Sequence, residues 1–177
     1  MSYKRTILTG KGGSGKDHLR IILVETGFRY CISHTSRPIR EDEEDGKDYY
    51  FISYEDAITR TGSGFFYEWV EFNGWIYGTS KDEFIKSNLS IMTPSGIKKL
   101  DPEDRKESVI VYLDIPESDR RKRLSKRRDA DNVDRRIEAD NADFFDFSDY
   151  DLKITNPDFI LDDYLTEHIK ILNKDKK

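Results

Sequence analysis

Gly10-Lys11-Gly12-Gly13-Ser14-Gly15-Lys16-Asp17 is the stretch that decides the fold. A short β-rich segment, Tyr3–Thr9 (YKRTILT), leads into it. His18–Thr26 (HLRIILVET), apolar at Leu19, Ile22 and Leu23 and stopped by Gly27, follows it as a helix. Strand, glycine-rich loop, helix is the order that a phosphate-binding loop requires. Glycines let successive backbone N–H groups turn inward around an anion, and the helix N-terminus adds partial positive charge. Gly10, Gly12, Gly13, Ser14, Gly15 and Lys16 are therefore the candidate cradle for the phosphates of a nucleotide, with Lys16 reaching the terminal ones. Position 17 departs from the usual Ser or Thr, whose hydroxyl ligates Mg2+. Asp17 has two readings. It holds Mg2+ directly or through water, since hard cations take carboxylate oxygen, or it is a first-turn residue favoured by the helix dipole.

Working outward, Tyr30–Ser33 reads as a second strand and residues 35–53 as a charged stretch whose tail, Asp48–Ser53, turns aromatic and extended. Ser53-Tyr54-Glu55-Asp56 opens a helix that Gly62 and Gly64 close. Phe65–Phe72 and Trp75–Tyr77 flank Asn73-Gly74, a strong hairpin signal. Ser80 and Glu83 form a capping box for the next helix. Leu89–Met92 and Val109–Leu113 read as buried strands, Pro116–Arg128 and Asn132–Phe145 as helices. Leu152–Thr155 is a last strand and Leu161–Leu172 a C-terminal helix. Alternating strands and helices at both ends predict an α/β fold, a parallel sheet flanked by helices. One domain is expected: a core of 1–33, 80–119 and 137–177, a β-rich insertion at 34–79 and a short helical lid at 120–136.

The 177 residues carry 30 Lys and Arg against 35 Asp and Glu, a net charge of -5 that discourages a long polyanion or an acidic membrane surface as partner. That charge is segregated. Asp119–Arg136 holds nine basic and four acidic residues, whereas Glu41–Asp48 holds six acids and one lysine. Cys31 has no second cysteine to pair with and sits in an apolar run, so it reads as a buried thiol in a reducing, cytoplasmic setting. No apolar stretch approaches the roughly 20 residues that span a bilayer. His18, His34 and His168 lack the spacing of a metal cage, and no Ser/His/Asp or Cys/His nucleophile is visible.

A switch GTPase would need Asn-Lys-x-Asp to read its base, and Asn173-Lys174-Asp175-Lys176 has the wrong order. Phosphoryl transfer to a small acceptor needs a cationic clamp on the acceptor and further positive charge over the migrating group. His34-Thr35-Ser36-Arg37-Pro38-Ile39-Arg40, then Asp45-Gly46-Lys47-Asp48-Tyr49-Tyr50-Phe51, resembles the guanylate kinase family. The resemblance continues through Glu68-Trp69-Val70-Glu71-Phe72, Trp75-Ile76-Tyr77-Gly78-Thr79-Ser80, Arg123-Leu124-Ser125-Lys126-Arg127, Arg136-Ile137 and Tyr150–Asn156, in family order. It implies the P-loop nucleoside monophosphate kinase fold and transfer of the γ-phosphoryl of ATP, with Mg2+, to GMP or dGMP. It also implies roles. Arg37 and Arg40 would grip the acceptor phosphate with hydroxyl contacts from Tyr49 and Tyr77; Glu68 would read guanine, with Thr79 and Ser33 near the base oxygen. Lys16, Arg37, Arg123, Arg127 and Arg136 would act on the transferring group, the choice between Arg127 and Arg128 staying open because the lid is short. Arg120 and Arg121 are expected on the solvated helix face.

Two departures qualify the pattern. Leu89-Ser90-Ile91-Met92-Thr93-Pro94-Ser95-Gly96 lacks the carboxylates the family carries there, Thr93 standing where an Asp is expected, while Asp17 is an added one. An exchange of roles between these two positions is the expectation. Asp114 reads as a structural corner. The Gly-Lys-Asp variant also resembles that of some virus-encoded deoxynucleotide kinases, which implies a deoxynucleotide or modified-base acceptor as one alternative. A non-catalytic module that holds a phosphorylated peptide is another. Small-molecule nucleotides are the expected partners, without nucleic acid or membrane; monomer and dimer both remain open.

Overall fold

Ser108–Leu113 (SVIVYL) is buried at every position, as a parallel strand covered on both faces must be. The structure, a computed structural model, describes residues 5–126 and 132–159. It divides into two compact units, one formed by the segments before Arg29 and after Asn88, the other by Arg29–Asn88.

In the first unit β1 (Arg5–Gly10) lies parallel to β7 (Ser108–Leu113), from Arg5↔Ser108 to Gly10↔Leu113. β6 (Leu89–Ile91) pairs with the other edge of β1, and β8 (Leu152–Ile154) with the other edge of β7, giving the order β6-β1-β7-β8. All three pairings are parallel. α1 (Lys16–Glu25) buries Leu19 and Leu23 and packs on β1. The same unit carries α4 (Pro94–Ile97), α5 (Pro102–Lys106), α6 (Glu117–Leu124) and α7 (Val133–Asp143). The arrival of β8 is fixed by charge: Arg105 holds Asp149 (2.6 Å) and Asp151 (3.3 Å), and Asp151 accepts from the Ile110 N–H (2.8 Å). The unit is thus a parallel sheet flanked by helices, as the strand and helix alternation predicts.

In the second unit β2 (His34–Thr35), β3 (Tyr50–Phe51), β4 (Phe66–Phe72) and β5 (Trp75–Ser80) form a mixed sheet of order β3-β2-β5-β4. Asn73 and Gly74 both take positive φ, 53° and 77°, the two left-handed residues that a type I′ hairpin turn demands. α2 (Tyr54–Gly62) is capped by Ser53 and α3 (Lys81–Lys86) by Ser80, whose hydroxyls accept from the Asp56 and Glu83 N–H groups.

Several elements differ from the sequence-based expectation. The strand expected at Tyr30–Ser33 lies at His34–Thr35 instead, because the ladder partners, Tyr50–Phe51 on one side and Tyr77–Gly78 on the other, face those two residues. Cys31 is buried all the same. Only half of the expected capping box forms, since Glu83 turns its carboxylate to the Ile32 N–H (3.3 Å). α6 ends at Leu124, earlier than the expected Arg128. α4 and α5, two short turns opened by prolines, were not expected as helices. Tyr3, Lys4, the lid segment around Arg127 and Arg128, and the C-terminal helix over Leu161–Leu172 lie outside the described residues.

His34 is the one histidine of the second unit and is 7% exposed. Its ring lies 4.8 Å from Tyr50 and meets Phe65 edge-on at 5.2 Å, and its Nδ1 has no hydrogen-bond partner among the described residues. Burial first, and then the Arg60 charge, pull its pKa from 6.5 down to about 4. Between those two values the unfolded chain binds a proton that the folded chain refuses, so this residue's contribution to stability falls as pH drops from about 6.5 towards 4. Thermal melts over that range are expected to show a steeper loss for the parent chain than for His34→Phe. Equal slopes would contradict the assignment.

Candidate functional site

The loop between β1 and α1 is held from behind by its carbonyls. Arg123 donates from Nη1 to the carbonyls of Gly13 (3.1 Å) and Ser14 (3.2 Å), and from Nη2 to that of Pro157 (2.6 Å). A trans peptide points its N–H opposite its C=O, so anchoring the Ser14 oxygen turns the Gly15 amide the other way, towards where an anion would sit, while the Ser14 amide is taken up inside the loop. Gly13 takes φ 77°, and a Cβ there would lie 2.9 Å from the Arg120 carbonyl oxygen. Glycine is required on both counts. Gly10 ends β1, Gly15 caps α1 in the left-handed conformation, and Ser14 is fully buried with its N–H on the Lys11 carbonyl (3.1 Å). Lys16 folds back so that Nζ donates to the carbonyls of Gly10 (2.5 Å) and Lys11 (3.2 Å). Its ammonium is thereby placed over the loop.

The solvated position expected for Arg120 is corrected: it is 2% exposed, among the most buried side chains described. It stands four residues before Leu124, also buried, and positions four apart share a helix face. Both abut Gly13. Arg120 donates from Nε to the Ile115 carbonyl (3.1 Å), and its Nη1 lies 3.5 Å from the Gly12 carbonyl and 3.9 Å from Asp140 Oδ2. Arg121 is the exposed one, paired with Glu117 and Asp134. From α7, Asp140 accepts from the Gly12 N–H (2.7 Å), and Arg136 Nε lies 3.2 Å from where a Cβ on Gly12 would stand. Arg127 lies outside the described residues.

Asp17 occupies the first turn of α1 with its side chain 68% exposed and Oδ1 3.9 Å from Arg20 Nε. The Thr93 hydroxyl accepts from the Gly96 N–H (3.1 Å) and so caps α4. Asp114 pairs with Lys153 (2.7 Å) and accepts from the Tyr112 hydroxyl (3.1 Å). Burial works against its charge, but Lys153 and Tyr112 hold its pKa below the usual carboxylate value.

The second unit gathers another set. Thr35 Oγ1 accepts from the Arg37 N–H (3.2 Å), while Ser36 bonds Ile76 through both its N–H and its hydroxyl (each 2.9 Å). These bonds tie the chain at Arg37 to β5. Arg37 donates from Nη2 to both oxygens of Glu43 (2.7 and 2.9 Å), and Glu43 also accepts from the Arg40 N–H (2.9 Å). Arg40 Nη1 stands 3.6 Å from the same carboxylate. Both arginines thus converge on one carboxylate. The Arg37 guanidinium lies 5.6 Å from the centre of the Tyr49 ring, and the Tyr49 and Tyr77 ring centres are 6.1 Å apart. Burial opposes the charge of Arg37, but the Glu43 bonds hold its pKa above the ordinary value. Glu68, 8% exposed, is the cross-strand partner of Thr79, whose hydroxyl donates to Glu68 Oε1 (2.7 Å). Ser33 precedes β2 and accepts at its carbonyl from the Tyr50 N–H (2.9 Å).

Comparison with known proteins bears on what these two sets belong to. The family model described as Guanylate kinase matches residues 2–174. The chain belongs to the guanylate kinase family. It is 31% identical over 163 residues to the guanylate kinase of Onion yellows phytoplasma, covering 85% of this chain and 76% of that protein. With that of Thermotoga maritima it shares 29% over 161 residues, covering 81% and 75%. With that of Lawsonia intracellularis it shares 45%, over 41% of this chain and about a third (35%) of the relative. The crystal structure of guanylate kinase from Anaplasma phagocytophilum superimposes with a TM-score of 0.73 at 20% identity, covering 98% of this chain and 86% of that one. This last likeness is one of fold. No described helix is long and apolar enough to cross a membrane.

Sequence reasoning missed Glu43, Arg120 and Asp140. The helical spacing of Arg120 and Leu124 could have found the second; the other two needed the folded geometry. In this guanylate kinase family member the loop leans on Arg123, and that dependence is testable without nucleotide. Removing three hydrogen bonds from a charged donor in Arg123→Ala is expected to lower unfolding stability by roughly 2–4 kcal/mol, measured by urea denaturation of the nucleotide-free protein. An unchanged midpoint would show that the loop does not depend on it.

Proposed function

We propose that this guanylate kinase family member transfers the γ-phosphoryl of ATP to GMP or dGMP by direct in-line attack. The observation that carries the reading is the convergence of Arg37 and Arg40 on one carboxylate. A planar guanidinium grips carboxylate and phosphate oxygens with the same paired geometry, so a pair built around Glu43 is built to receive an anion. Glu68 supports guanine as the base. A buried carboxylate accepts from both the ring N–H and the exocyclic amine of guanine, whereas adenine does not offer that pair. Thr79 holds Glu68 in place, and Tyr49, Tyr77 and Ser33 complete the acceptor set.

On the donor side, Gly10, Gly12, Gly13, Ser14, Gly15 and Lys16 take the phosphates of ATP. Arg136, and Arg123 through the loop carbonyls it holds, add positive charge. The acceptor phosphate is already an anion near neutral pH, so transfer calls for no general base and relies on positioning and charge stabilisation. Among the described residues no cluster of three or more His, Cys, Asp or Glu side chains is placed to hold a metal ion. Mg2+ is commonly held by one or two carboxylates together with substrate phosphates and water. Asp17, an exposed hard-oxygen donor beside Lys16, would hold it. The ion would neutralise charge on the terminal phosphates. A phosphopeptide-binding module would have no use for Lys16 folded over a complete phosphate loop.

The test is ADP formation from ATP with GMP, dGMP, AMP, CMP and UMP, with and without Mg2+. Turnover is expected with GMP and dGMP, only in Mg2+, and Asp17→Ala is expected to raise the Mg2+ requirement about tenfold or more, as loss of a metal-supporting group does. No turnover with any acceptor, together with no ATP binding, would replace the kinase by the binding module. An unchanged Mg2+ requirement with a lowered melting temperature would return Asp17 to a helix-dipole role.

A further inference from the structure

Gly12 is gripped on both of its backbone groups, and the two groups that grip it carry opposite charge. Asp140, on α7 and 7% exposed, accepts from its N–H at 2.7 Å. Arg120, on α6 and 2% exposed, faces its carbonyl at 3.5 Å. The two side chains stand 3.9 Å apart. A Cβ at position 12 would lie 2.9 Å from Asp140 Oδ2, so the approach depends on glycine.

We propose that Arg120 and Asp140 are a positioning pair for the donor phosphates, acting through the Gly12 peptides; this rests on the ATP-using reading above. A trans peptide is rigid. Holding the Gly12 carbonyl towards Arg120 points the Gly13 N–H the opposite way, and this amide opens the cradle. Holding the Gly12 N–H on Asp140 fixes the peptide before it. The loop thus reaches nucleotide with the Gly13 amide already aimed, which removes an ordering cost from binding. Arg120 cannot touch the phosphates from its buried place, so its contribution is to geometry.

Stability alone does not account for the pair. Two buried charges lose hydration, and apolar residues of similar size in their place are often neutral or stabilising, whereas removing one partner alone is costly.

That asymmetry supplies the experiment. Arg120→Leu, Asp140→Ala and the double variant would be compared by thermal melting without nucleotide and by calorimetric titration with ATP and, separately, GMP. Each single variant is expected to melt lower and to bind ATP about tenfold more weakly, the loss typical of a charge-assisted hydrogen bond. The double variant is expected to regain the parent melting temperature while ATP binding stays about tenfold weak. GMP binding should be unchanged in all three. A double variant that regains both stability and ATP affinity would overturn the proposal, since the pair would then serve only to compensate itself. So would folded single variants that bind ATP like the parent. A parent chain that binds no ATP would overturn the kinase reading instead, a result distinct from either.

Discussion

The rest of the first unit depends on one constraint: the phosphate loop must keep its carbonyls turned away from its anion. An isolated glycine-rich segment has no reason to do so, because glycine adopts many backbone conformations and loses the most freedom when one is imposed. Arg123 imposes it at Gly13 and Ser14 and extends the tie to Pro157, and the Arg120–Asp140 pair extends it to Gly12. The glycines that make an anion cradle possible are also those that make it floppy. Charged groups on α6 and α7 supply the missing rigidity, and the parallel sheet supplies the fixed strand end from which the loop starts.

The second unit solves a similar problem by other means. On the proposed reading its arginines stay ready for an anion without wandering into solvent, and a carboxylate of the same chain occupies them. Glu43 orients Arg37 and Arg40 together, the Ser36–Ile76 bonds hold the chain beneath them, and the hairpin sheet places Glu68 against Thr79. In both units backbone contacts made by polar side chains set the geometry, and the apolar core beneath holds those side chains still.

Much of this was legible from residues alone. The strand–loop–helix order, the apolar run of β7 and the Asn73-Gly74 turn are local signals that the folded chain does not override. The candidate site residues came from local motifs, as with Lys16 and the Arg37–Arg40 spacing. What escaped was of another kind. Arg120 sits in a run of basic residues whose composition suggests a wet surface, and its burial follows only from the helix face it shares with Leu124. Asp140 and Glu43 act on backbone and side chains remote from, or hidden within, acidic stretches, and nothing in an acidic stretch says which member turns inward. The strand at His34–Thr35 was misplaced because a two-residue strand is defined by its partners and carries no pattern of its own.

In the proposed reaction the donor phosphates bind the loop of one unit and the acceptor binds the sheet of the other. Backbone amide NMR of the labelled protein, titrated separately with ADP and with GMP, tests that division most directly. ADP is expected to shift the amides of Gly12 to Asp17 and leave those around Arg37 and Glu68 in place, while GMP does the reverse. Both nucleotides moving the same amides, or ADP leaving the loop unmoved, would contradict it.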